Sequence, residues 1–142
     1  MDAEAVFRIE HACARLIRHY ANLNDAGRWE DVADLYTEDA IFCRPSAPDE
    51  EIHGRAAILS SFLARPGRMT GHLVTNIVVD VASDREAAAF SRIVLYQADP
   101  APDGPVARHT LAQPLIGTFT ARLVLLKAGW RFSERRGSLT IR

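Results

Sequence analysis

With 142 residues, 48% of them hydrophobic and 25% charged, the chain has the make-up of one globular domain and not of a disordered segment. A formal net charge of −1 gives no electrostatic reason to expect nucleic acid or an anionic membrane as partner. Apolar runs such as Leu123 to Leu126 are far too short to span a bilayer, and Asp2, Glu4, Arg8 and Glu10 interrupt the place where a secretory leader would carry its apolar core.

From Ala3 to Leu23 the apolar residues Val6, Ile9, Ala12, Cys13, Leu16, Ile17, Tyr20 and Leu23 recur in steps that place them on one helical face. Asn24, Asp25 and Gly27 form the stop signal. Trp29, Val32, Ala33 and Tyr36 repeat the spacing and predict a second, short helix over Trp29 to Tyr36. Ala40 to Cys43 reads as a short strand, followed by the loop Pro45-Ser46-Ala47-Pro48. A third helix is expected from Gly54 to Ala64, closed by Pro66 and Gly67.

Beyond that point the period changes to two. His72 to Ala82 is rich in β-branched residues, and Ser83-Asp84 turns the chain into the next strand, Ala87 to Gln97. The stretch Asp99 to Pro105 holds three prolines and a glycine and reads as an irregular loop. Val106 to Lys127 is expected as a long strand bent at Pro114 and Gly117, and Trp130 to Ile141 as the last strand. Helices first and antiparallel strands afterwards predict an α+β fold, a bent sheet wrapped on helices around a cleft. Cys13 and Cys43 share no spaced motif and read as buried reduced thiols, so the expectation is a cytoplasmic protein.

The histidines His11, His19, His53, His72 and His109 have no metal-ligand spacing, and no metal site is expected. No nucleophile elbow, dinucleotide fingerprint or phosphate loop is present. The combination with chemical content is Asp25 with His72. Asp25 lies at the C-terminal end of the first helix, where the helix dipole disfavours a carboxylate and favours a nearby donor. His72 opens an apolar strand, and an imidazole oriented by a carboxylate makes a general base. By spacing alone, the commoner roles are a turn aspartate and a solvated strand-end histidine. Arg135 and Arg136 point to opposite faces of the last strand, and one of them could enter the cleft as a fixed cation. Tyr96 could donate a proton there, although a core or rim tyrosine is commoner. Trp29, Trp130, Phe42 and Phe132 read as core.

The run Asn24-Asp25-Ala26-Gly27-Arg28-Trp29, continuing to Leu35-Tyr36-Thr37-Glu38-Asp39-Ala40, resembles the opening of SnoaL-like proteins of the nuclear-transport-factor-two-like superfamily. Gly54 to Ile58, His72-Leu73-Val74-Thr75-Asn76 and Trp130-Arg131-Phe132 extend the resemblance over nearly the whole chain. It implies a cone-shaped α+β barrel enclosing an apolar pocket, no cofactor, and a homodimer or homotrimer. Scytalone dehydratase and hexachlorocyclohexane dehydrochlorinase are the nearest in motif. Asp25 is similar to their aspartate, His72 to their histidine, and Arg135 to the dehydrochlorinase's pocket arginine. The resemblance implies a lyase or isomerase acting on a small hydrophobic cyclic substrate, with His72, Asp25, Arg135 and Tyr96 catalytic and Tyr20, Asn24, Val74 and Val94 lining the substrate. The chain departs from those relatives at Asn24, where scytalone dehydratases have tyrosine, and at Tyr20, where the dehydrochlorinase has lysine. Tyr96 stands where scytalone dehydratases carry a second histidine. The same superfamily includes non-catalytic members such as the small subunits of ring-hydroxylating dioxygenases, so the fold leaves both kinds of role open.

Overall fold

The computed structural model describes residues 1–107 and 113–142. Helices α1 (Ala3–Asp25), α2 (Trp29–Ala33) and α3 (Arg55–Leu63) and two strands, β1 (Tyr36–Cys43) and β2 (Ile52–His53), come first. Four long strands follow: β3 (Met69–Val81), β4 (Glu86–Ala98), β5 (Leu115–Leu126) and β6 (Gly129–Ile141).

Asp2 caps α1 by accepting a 2.7 Å hydrogen bond from the Ala5 amide. The helix buries Cys13, Leu16, Ile17, Tyr20 and Leu23, the face expected from their spacing. Leu16, Ile17 and Leu23 each contribute roughly 1.5–3 kcal/mol by leaving water. The helix runs two residues past Leu23, so Asp25 is its last residue and not a turn residue beyond it.

The strands form one six-stranded sheet in the order β2-β1-β6-β5-β4-β3, antiparallel except where β1 meets β6. Its edges, β2 and β3, do not pair, so the sheet curls without closing. Register shifts supply the bend. One lies between Thr75 and Val78 on β3, where Asn76 takes φ 54°, and another between Arg122 and Leu123 on β5. At Gly117, β6 leaves no room for a side chain: a Cβ there would lie 2.6 Å from the Ser138 carbonyl oxygen. The expected irregularity at Gly117 is present as a shift between Ile116 and Gly117.

The helix expected over Trp29 to Tyr36 stops at Ala33, and Tyr36 opens β1. Its partners explain why. Tyr36 pairs with Phe132 of β6, the Phe132 amide donates to the Leu35 carbonyl at 2.8 Å, and Arg55 donates twice to the Tyr36 carbonyl. β1 therefore starts four residues before Ala40. The two-residue β2 pairs with β1 at Ile41 and Phe42 and has no counterpart in the expected strands. β5 begins at Leu115, so residues 106, 107, 113 and 114 are not strand. The rest of the expected extension, with His109, lies outside the described residues.

α1, α3 and the concave face of the sheet enclose a core built on Ile17, Val32, Tyr36, Phe42, Phe62, Leu123 and Phe132. The Tyr36 ring centroid lies within 6 Å of those of Phe42 and Phe132. Trp29 and Trp130, expected in the core, are partly buried at its margin. Cys13 and Cys43 are buried and unbridged. No helix among the described residues is long and apolar enough to cross a membrane.

Candidate active site

Period two on β3 aims Thr70, His72 and Val74 at α1, and this arrangement positions the site. The Asp25 carboxylate, in the last turn of α1, is met from β3 by three donors. Thr70 Oγ1 donates to Asp25 Oδ1 at 2.9 Å, the His72 amide donates to Oδ2 at 2.8 Å, and His72 Nδ1 lies 2.5 Å from Oδ1. Burial pushes the Asp25 carboxyl up, but the ring and amide of His72 and the Thr70 hydroxyl outweigh it and hold the group below its usual value. Asp25 is therefore ionised at neutral pH and can only accept. The hydrogen of the contact then sits on His72 Nδ1, which leaves Nε2 as the basic nitrogen. These donors also offset the unfavourable dipole at the helix C-terminus.

The pair opens on a cavity of about 600 Å³ between α1, the segment after α3 and the concave sheet face. That volume suits a small organic molecule. Val74, Ile93, Leu95, Leu115, Phe119 and Leu139 form an apolar wall, and Tyr20, Trp29 and Phe42 face it from the helical side. Asp25 is the only carboxylate among the described lining residues, against four arginines, Arg44, Arg65, Arg68 and Arg135.

Arg135 enters the cavity from β6, while its neighbour Arg136 points away and pairs with Glu51 and Glu134. Arg135 is only 3% exposed. Its guanidinium carbon lies 3.7 Å from the Phe119 ring centroid and 4.2 Å from that of Tyr20. Nε and Nη1 are buried with no hydrogen-bond partner among the described residues. Beside it, the hydroxyls of Tyr20 and Tyr36 share a 2.7 Å hydrogen bond. Burial raises the Tyr20 hydroxyl above its usual pKa although the Arg135 charge lowers it, so Tyr20 remains a neutral donor.

Of the residues singled out in the sequence, the cavity brings together Asp25, His72, Arg135, Tyr20, Asn24 and Val74. It does not include Tyr96 or Val94. His72 pairs with Leu95 across the ladder, and the inward positions of β4 are Ile93, Leu95 and Gln97. Tyr96 is 45% exposed and shares the outer face with Val94, which corrects both assignments. Arg44, Arg65 and Thr70 were not singled out. Thr70 was within reach, since it stands two residues before His72 and thus on the same strand face. Arg44 and Arg65 follow β1 and α3 at element ends, where a charged residue is normally solvated, and no pattern marks them.

A curled, mostly antiparallel sheet closed by N-terminal helices over a lined hollow defines the nuclear-transport-factor-two-like class. The chain belongs to the SnoaL-like domain family, whose model matches residues 6–136. Among solved structures it is similar to a candidate scytalone dehydratase from Novosphingobium aromaticivorans, with 22% identity over 99% of this chain and 89% of that one and a TM-score of 0.81. A hexachlorocyclohexane dehydrochlorinase of type 2 superposes with a TM-score of 0.77 at 14% identity, over 98% of this chain and 90% of that one. A candidate aromatic ring hydroxylase, also from Novosphingobium aromaticivorans, gives 0.73 at 18% identity, over 94% of this chain and 90% of that one. No curated protein sequence matches the chain.

Proposed function

We propose that the protein is a cofactor-independent lyase or isomerase for a small, hydrophobic, cyclic substrate. His72 Nε2 removes a proton from a substrate carbon, and Asp25 holds the ring and balances the imidazolium that forms. The electron pair left on carbon either expels a β-substituent such as hydroxide or halide, or moves into the ring and returns to a proton at another carbon. Arg135 meets the negative charge that develops in either course, in surroundings where water does not screen it. A general base so positioned contributes roughly 10²–10⁴-fold to rate.

The observation that carries this reading is the Asp25–His72 contact on the rim of a hollow that also holds the buried cation of Arg135, two of whose nitrogens have no hydrogen-bond partner among the described residues. Similarity to a candidate scytalone dehydratase and to a dehydrochlorinase is consistent with it. A purely structural subunit needs no such hollow. The test is to follow the His72 ring nitrogens by NMR through a pH titration of the wild type and of Asp25→Asn. The dyad predicts a lower imidazole pKa and a mixed tautomer in the variant; identical pKa and tautomer in the two proteins would remove His72 and Asp25 as a working pair.

A further inference from the structure

The arginines of the cavity exceed anything the base pair requires. Asp25 is already engaged by Thr70 and His72, so it neutralises none of them. Arg44 donates through Nη2 to the Ser61 carbonyl at 2.7 Å, but its Nε is buried without a partner. The Arg65 guanidinium carbon lies over the Phe62 ring, 4.3 Å from its centroid, and 6.0 Å from that of Trp29, and Arg65 lines the cavity. Both arginines line the cavity and rest on neighbouring residues of α3, Arg44 on Ser61 and Arg65 on Phe62, which brings the two cations to the same side of the hollow. Neither they nor Arg135 form an ion pair with a carboxylate among the described residues. Burying like charges without a counter-ion is unfavourable unless something else supplies the anion.

We propose that the ligand supplies it: the cavity takes a cyclic or aromatic molecule carrying a carboxylate, whose oxygens are held by the guanidinium groups of Arg44 and Arg65. Arg135 then remains for the charge that develops during reaction. The inference deepens the proposed activity and rests on the hollow being its substrate site. The aromatic and aliphatic walls from Trp29, Phe42, Leu95 and Phe119 suit a flat, apolar body. A guanidinium fork matches a carboxylate in plane and spacing. Inorganic phosphate could use the same guanidinium groups but has no flat body for the apolar walls.

Isothermal calorimetry with two acids and their neutral amides tests the inference without knowledge of the natural substrate. Benzoate and cinnamate are compared with benzamide and cinnamamide, in the wild type and in Arg44→Gln, Arg65→Gln and Tyr96→Phe. Charge-assisted hydrogen bonds to two guanidinium groups predict that each acid binds at least about tenfold tighter than its amide. Each arginine variant loses most of that preference, and Tyr96→Phe, on the outer sheet face, keeps it. An acid that binds no tighter than its amide in the wild type overturns the inference whatever the variants do. So does a preference undiminished in both arginine variants, or displacement of cinnamate by inorganic phosphate at lower concentration. The base pair is judged separately by the NMR titration, so either idea can fail alone.

Discussion

Replacing Asp25 by asparagine probes the junction of α1 and β3 directly. The carboxylate accepts one hydroxyl, one amide and one ring hydrogen bond, and its side chain is only 23% exposed. A hydrogen bond to a charged group contributes about 1.5–3 kcal/mol, and a neutral amide oxygen retains part of each. Asparagine also turns an NH₂ group toward a cluster composed of donors. A net loss of about 2 kcal/mol is expected at pH 7, which for a domain of this size lowers Tm by roughly 6–10 °C. The folded carboxyl titrates below its unfolded value, so its stabilisation is complete above pH about 4 and fades as pH falls through the lower folded pKa. The wild type and the variant should therefore converge in stability as the pH falls below 4, because a protonated Asp25 resembles asparagine. Urea melts at closely spaced pH values between 7 and 2.5 measure the gap. A gap that stays constant across that range, or none at pH 7, would show that the clasp around Asp25 is not a charged one.

Two further outcomes follow from the same geometry. Arg135→Met removes a buried cation that has no carboxylate partner among the described residues and leaves an apolar stem among Phe119, Tyr20 and Phe132, so urea midpoints should stay level or rise by the equivalent of about 1–2 kcal/mol; a loss above that size would mean that Arg135 holds the core together. Leu73, at 60% exposure, Val78 and Tyr96 present apolar surface on the outer face of β3 and β4, and self-association into a dimer or trimer is expected to cover it. Light scattering should show a species of two or three times 15.7 kDa, reduced by Leu73→Glu; a monomer at micromolar concentration would argue against it.

The long elements were legible because each carries its own period. In α1 the spacing of Cys13, Leu16, Ile17 and Tyr20 selects one face whatever surrounds it, and the alternation along β3 to β6 does the same for a sheet. Tyr36 was not legible, because its spacing from Trp29, Val32 and Ala33 suits a helix, and only pairing with Phe132 draws it into β1. Tyr96 and Val94 show how little separates a right strand from a right site. The strand was located, but a step of one residue exchanges its faces, and the ladder that matches His72 with Leu95 turns Tyr96 outward.

Asp25 and His72 are 47 residues apart, and nothing local to either requires that they touch. Their partnership was readable through resemblance to proteins that share the fold, whereas the arginine pair inside the same hollow left no trace in the sequence. Local order, helical or extended, and the identity of the apolar face follow from neighbouring side chains and so are written in the chain. Which charges share a cavity depends on bulges, register and helix ends that bring distant segments together. Only the folded chain carries that information, because a charge at an element's end is solvated or buried according to what the rest of the fold sets beside it.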